Sequence, residues 1–279
     1  MIATGMSTAC AYPHGAEQAF ALASRLGFDG IEVMVTRDRL TQDAEVLNSL
    51  SKRYGMPVLS IHAPVLVFTQ FVWGLDPVVK LERSAALAKA VGAPTVVVHP
   101  PFRWQRRYAS DFTTAVREIS NASGVDLAVE NMFPLNVAGL RRTVYAPGWD
   151  PVTIDCDSAT LDFSHAALAG QNSLEIARRL GDRLRHLHLC DGSKSVYEGG
   201  VFDEHLPPGD GEQPVAEVLE YLAGRDWHGS IVAEVSPHGR SDDERTERLM
   251  RTLRFARTAL RVGRDARQTA EHAALGVVG

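Results

Sequence analysis

The chain has 279 residues, 45% of them hydrophobic and 23% charged, with a formal net charge of −5. That is ordinary globular composition with enough apolar mass for a core, and the acidic balance gives no global electrostatic reason to expect a nucleic-acid or anionic-membrane surface. Three cysteines, at positions 10, 156 and 190, are too few and too scattered for a disulfide framework or a thiolate zinc knuckle, so a reducing, cytoplasmic setting is expected.

Met1 to Met6 carries no cationic region ahead of an apolar stretch, unlike a secretory signal. The most apolar window, Ala63 to Leu75, is interrupted by Thr69 and Gln70 and is too short to span a bilayer. No membrane partner is expected.

The first strand is predicted over Ile2 to Ser7 and the first helix over Ala16 to Leu26, where apolar residues recur at helical spacing until Gly27. Phe28 to Val35 is the second strand, so a β-α-β unit is visible at once. Thr41 to Tyr54 is amphipathic. Pro57 to Ile61 is an apolar run ending in His62-Ala63-Pro64, and Asp76-Pro77 starts a helix closed by Gly92.

Pro94 to Val98 leads into His99-Pro100-Pro101. Asp111 to Asn121 reads as helix, and Val125 to Val129 ends on Glu130-Asn131. Met132 to Asp157, with three prolines and Gly148, is irregular. Ser158 to Leu161 brings Asp162-Phe163-Ser164-His165, and Leu174 to Leu180 is helical. Leu184 to Leu189 carries His186 and His188. Val215 to Leu222 is a helix, Ser230 to Ala233 ends in Glu234, and Asp242 to Val262 is the last long helix.

Short apolar strands alternating with helices about every thirty residues imply right-handed crossovers and an all-parallel sheet. Over roughly 250 residues such units fit a closed (β/α)8 TIM barrel, with an open doubly wound sheet as the competing architecture. One domain over residues 1–262 is expected, with 263–279 as a flexible tail. Strands that end in His62, His99, Glu130, Asp162, His188 and Glu234 favour the barrel, where chemistry gathers at converging strand ends; an open sheet binds mainly at one switch point. Neither a dinucleotide glycine fingerprint nor a phosphate-cradling loop occurs.

Taken singly, a histidine at a strand end more often caps loop carbonyls than binds a metal. Glu130 and Glu234 are harder to dismiss, because a buried carboxylate without a cation or proton is costly. Asp162 with His165, and Asp203 with His205, add carboxylate and imidazole pairs. Mixed oxygen and nitrogen donors suit Zn²⁺, Mn²⁺, Co²⁺ or Fe²⁺ rather than Ca²⁺.

These motifs, Ser-Ile-His62-Ala-Pro, Val-Val-His99-Pro, Ala-Val-Glu130-Asn, Leu-Asp162-Phe-Ser-His165, His188-Leu-Cys-Asp and Val-Ala-Glu234-Val, resemble those of the xylose isomerase-like TIM-barrel superfamily from Ile2 to about Arg261. In its isomerase and epimerase branch, the resemblance implies one metal on Glu130, Asp162, His188 and Glu234, with His165 facing substrate. In its endonuclease IV branch, it implies a three-zinc cluster that also draws on His62, His99, His165, Asp203 and His205. Only the Asp203 and His205 pair leans distinctly toward the endonuclease, and the Pro-Pro-Gly-Asp-Gly that follows is familiar in the isomerase-like members.

Two functions follow. The first is a sugar or sugar-phosphate isomerase or epimerase holding one to three divalent ions (Zn, Mn or Co). Glu130 and Glu234 move a proton through an enediolate, and His165 and Lys194 orient a small carbohydrate. The alternative is a phosphodiester hydrolase acting on abasic DNA or another phosphate ester. There Arg103, in the Arg103 to Tyr108 run of cations and aromatics, serves as a phosphate contact; a solvated helix approach is its plain reading. The first is preferred because phosphate contacts dominate nucleic-acid affinity and the chain shows no broad basic surface. A homo-oligomer is compatible with either. His186 matches no ligand position and reads as barrel packing or support for the ligands.

Overall fold

A computed structural model describes residues 2–276 except 66–68, 70, 138–139, 194–195, 198–199, 202 and 226. Its strands β1 (Ala3–Ser7), β2 (Gly30–Met34), β3 (Val58–His62), β4 (Thr95–Val98) and β5 (Asp126–Glu130) alternate with helices α1 (Ala16–Leu26), α2 (Ala44–Tyr54), α3 (Pro77–Val91) and α4 (Arg106–Ser123). A short hairpin, β6 (Leu135–Val137) and β7 (Leu140–Arg142), fills the irregular stretch.

The second half runs through β8 (Ala159–Asp162), α5 (Phe163–Ala169), α6 (Ser173–Leu180) and β9 (Leu184–Leu189). It continues with a two-residue hairpin, β10 (Val196–Tyr197) and β11 (Gly200–Val201), then α7 (Val215–Ala223), β12 (Ser230–Ala233) and α8 (Asp242–Gly276).

The barrel is closed in the order β1-β12-β9-β8-β5-β4-β3-β2, and every neighbouring pair is parallel. The (β/α)8 architecture expected from the strand and helix alternation is therefore the fold. Side-chain alternation divides each strand between two environments. In β9, Leu187 and Leu189 pack into the apolar layer under the helices, whereas His186 and His188 share the other face.

Four helix starts follow the local capping chemistry: Asp43, Asp76, Asp162 and Asn172 each accept a hydrogen bond from a first-turn amide. Helix α2 starts at Ala44 rather than Thr41, and two helices depart further from their sequence-based limits. The apolar spacing of α4 begins at Tyr108 and continues through Phe112 and Val116, all buried, so the helix starts at Arg106 rather than Asp111. Helix α8 runs past Val262 to Gly276, so residues 263–276 are helical. Gly263 is no stop signal. A Cβ there would lie 2.8 Å from Glu220 Cα and 2.9 Å from Ala223 Cβ, so the glycine lets α8 lie close on α7.

Candidate active site

The barrel register brings the predicted site residues to one mouth. His62, His99, Glu130, His165, Asp203, His205 and Glu234 line a cavity of about 1080 Å³. Asp162 and His188, both fully buried, form its floor with them. Arg103 is exposed on the turn before α4 and is not among the lining residues. Lys194 lies outside the described residues.

His188 Nδ1 is the focus. Glu130 Oε1 lies 2.9 Å from it, Glu234 Oε2 3.0 Å, and Asp162 Oδ2 3.7 Å. In the barrel order, β9 and β8 lie between β12 and β5, so Glu234 and Glu130 approach from opposite sides. One imidazole nitrogen carries at most one hydrogen, which cannot neutralise three carboxylates. Ligand atoms of Glu130, Asp162, His188 and Glu234 all lie within 4.8 Å of one another, a donor set that fits a divalent transition metal.

A second observation agrees. Glu130 Oε2 is buried and makes no aligned hydrogen bond, yet it lies 2.8 Å from His99 Nε2 and 3.7 Å from His62 Nε2. His62, His99 and Glu130 thus form a second group whose nitrogen and oxygen atoms lie close enough together to hold an ion.

The third group is Asp162, His165, Asp203 and His205. His165 Nε2 lies 3.1 Å from Asp203 Oδ2, and His205 Nε2 lies 3.3 Å from Asp162 Oδ2. Ser164 Oγ donates to Asp203 Oδ1 at 2.6 Å and accepts from His205 N at 3.3 Å. His205 holds φ at 41°, a strained value for a residue with a Cβ.

Asp162 does two jobs. Its Oδ1 caps α5 by accepting from His165 N at 2.7 Å, which leaves Oδ2 toward His205 and His188. Asp162 is thus the N-cap of α5, and one helical turn carries His165 up beside it. Asn131 locks β5 to β8: Nδ2 donates to Asp162 O at 2.9 Å, and Oδ1 accepts from Asp162 N at 2.7 Å.

Charge is strongly coupled across the site. Burial disfavours the charged form of Glu130, but His188 and His99 outweigh it and hold the carboxyl well below its ordinary range. Burial likewise opposes protonation of His188, and Glu234, Glu130 and Glu32 overcome it, raising the imidazole well above its usual value. His165 is raised against burial by Asp162 and Asp203. His205 is pushed up to about 10, again against burial, by Asp203 and Asp162. His99 goes the other way because burial exceeds the attraction of Glu130.

Some supporting residues were not anticipated from sequence. Cys10 Sγ donates to Ala233 O and accepts from Val235 N, both at 3.2 Å, clamping the backbone on either side of Glu234. Burial pushes that thiol up to about 12, so it stays a neutral donor. Glu32, between Ile31 and Val33, reaches His186 and His188 from below. A lone carboxylate inside an apolar strand run was the signal for it.

Of the expected basic and aromatic run, Tyr108 is core, packed edge-on to Phe112. Trp104 is exposed and stacks on Phe102, which stacks in turn on Tyr145 in the cavity wall.

A family model described as a xylose isomerase-like TIM barrel matches residues 20–258. The chain belongs to the xylose isomerase-like TIM-barrel family. An uncharacterized protein of Mycobacterium leprae is 49% identical to it over 280 residues, covering 93% of this chain and 98% of the relative. Fructoselysine 3-epimerase of Escherichia coli O157:H7 is 24% identical over 255 residues, covering 83% of this chain and 90% of that enzyme. In structure, the E. coli 3-keto-D-glucoside 4-epimerase superposes with a TM-score of 0.67 at 17% identity, covering 92% of this chain and all of that one. Among the described residues of this xylose isomerase-like barrel, no helix is long and apolar enough to cross a membrane.

Proposed function

We propose that the chain is a divalent-metal-dependent sugar or sugar-phosphate isomerase or epimerase that moves a proton through an enediolate of its substrate. The observation that carries this reading is the convergence of Glu130, Glu234 and Asp162 on His188 Nδ1 at the floor of the cavity. Relatives that are epimerases by name support the reaction class.

The site residues would divide the work as follows. Glu130, Asp162, His188 and Glu234 hold the metal, which when bound polarises a carbonyl and the neighbouring hydroxyl of a sugar. Glu234, at 13% side-chain exposure, and Glu130, at 1%, stand on opposite sides of the floor. One takes the proton from the carbon beside the carbonyl and the other returns it, giving epimerisation or isomerisation according to the atom that receives it. His165, raised and therefore protonated near neutrality, donates to a substrate oxygen. Phe133, 5.1 Å from the His165 ring, and Tyr145 supply apolar walls.

A second reading is phosphodiester hydrolysis at a three-zinc site, and one observation favours it. Asp203 and His205 turn inward onto His165 and Asp162 instead of standing free, which suits more than one ion. The cytoplasmic, carbohydrate-binding enzyme remains our reading, because phosphate contacts dominate nucleic-acid affinity and a chain with a net charge of −5 gives no global electrostatic pull toward it.

Metal analysis of the purified chain, paired with two activity assays, tests this. One exchangeable ion with ketose or aldose interconversion supports the epimerase. Three tightly held zincs with nicking of an abasic duplex supports the hydrolase, and a chain that binds no Zn²⁺, Mn²⁺ or Co²⁺ removes both.

A further inference from the structure

Beneath the site lies a carboxylate that the mechanism above does not use. Glu32, in the middle of β2, is fully buried. Its Oε2 accepts from Ser60 Oγ at 2.8 Å and lies 3.0 Å from His186 Nε2. Both of its oxygens lie 3.4 Å from His188 Nε2. A buried charge in this place needs a reason, since apolar residues would fill the barrel at lower cost.

The hydrogen-bond directions suggest one. His186 Nδ1 pairs with Ser230 Oγ at 2.8 Å; with that hydroxyl donating, the His186 hydrogen sits on Nε2, on the side of Glu32 but not aligned into a hydrogen bond with it. Ser60 Oγ does donate to Glu32. Glu32 is then an acceptor facing donors, and the nearby ring nitrogen of His188 completes the set by carrying its hydrogen on Nε2. The opposite nitrogen of His188 is the atom toward which Glu130, Glu234 and Asp162 converge.

We propose that Glu32 is a positioning residue that accepts the Nε2 hydrogen of His188 and thereby presents the Nδ1 lone pair to the cation. This rests on the reading of His188 as a metal ligand. A carboxylate behind a ligating imidazole fixes its tautomer, restrains the ring and raises its basicity, and loss of such a partner costs about 10–100-fold in metal affinity. A carboxylate that merely filled polar space inside the barrel would affect folding and leave affinity alone.

Two measurements on the full chain separate these. Zn²⁺ affinity, read by competition with a chromogenic chelator, should weaken about 10–100-fold in Glu32→Gln. Ring-nitrogen NMR of the unaltered Zn²⁺-loaded chain should show His188 protonated at Nε2 and metal-bound at Nδ1. Because this second measurement needs no variant, it holds even if Glu32→Gln does not fold. An unchanged affinity in a folded Glu32→Gln chain, or metal on Nε2 of His188, overturns this proposal alone. A wild-type chain that takes up no transition metal overturns the proposed function and this inference with it.

Discussion

Asp162, at the end of β8, and Asp191, two residues past the end of β9, are both fully buried carboxylates at neighbouring strand ends, yet their surroundings differ completely. Asp191 Oδ1 accepts from Gly192 N at 2.9 Å and Gln213 N at 3.1 Å, and its Oδ2 accepts from Gly209 N at 2.9 Å. Its backbone also pairs with Leu206 in both directions, at 2.7 and 2.8 Å. Backbone amides satisfy this charge, and it ties down the Pro207 to Gly211 turn. Asp162 spends one oxygen on a helix cap and turns the other toward His205 and His188. The partners of a buried carboxylate, more than its burial, tell whether it organises backbone or waits for a cation.

Experiments can break or sharpen that contrast. Glu234→Gln keeps the shape of the metal group and removes a proton carrier, so kcat should fall roughly 10²- to 10⁴-fold. Steady-state kinetics on metal-loaded protein checks this, and near-normal turnover would mean that the chemistry lies elsewhere. Asp191→Ala should instead leave backbone donors unpaired and cost about 3 kcal/mol of stability, read by urea denaturation. If that variant lost metal while remaining stable, the two aspartates would not differ as described.

A third measurement concerns protons. The raised value of His188 puts a proton on the metal-free site near neutrality that an ion bound there would displace. Metal affinity should therefore rise with pH, by up to about tenfold per pH unit for each proton released, and fall as the imidazole is protonated. Calorimetry in buffers of different ionisation enthalpy counts the protons; none released would contradict the coupling. The smallest effect expected is Gly263→Ala. Its Cβ would press on Glu220 and Ala223 and cost about 1–3 kcal/mol without changing metal content, as thermal melting of the metal-free and metal-loaded protein can show.

Much of this site was legible before the fold was known. Polar residues closing apolar runs, such as Glu130 after Asp126 to Val129 or Glu234 after Ser230 to Ala233, stand out because a strand interior excludes charge without a purpose. Glu32 escaped notice because it sits inside its strand rather than at the end. Cys10 did too, because a thiol bonding backbone 223 residues away leaves no local trace. The extension of α8 was hidden by Gly263, whose lack of a side chain reads as a stop along the chain and as a close contact in space.

Local sequence, then, determined the period of strands and helices, and through it the barrel, because hydrophobic spacing and helix caps act over a few residues. It also determined which residue types stand at the strand ends. Only the tertiary structure decided that Glu130, Asp162 and Glu234 meet at one nitrogen of His188 while Glu32 stands behind the other. Those distances follow from closure of the barrel and the register of its strands, which sum interactions over the whole chain and are written at no single position.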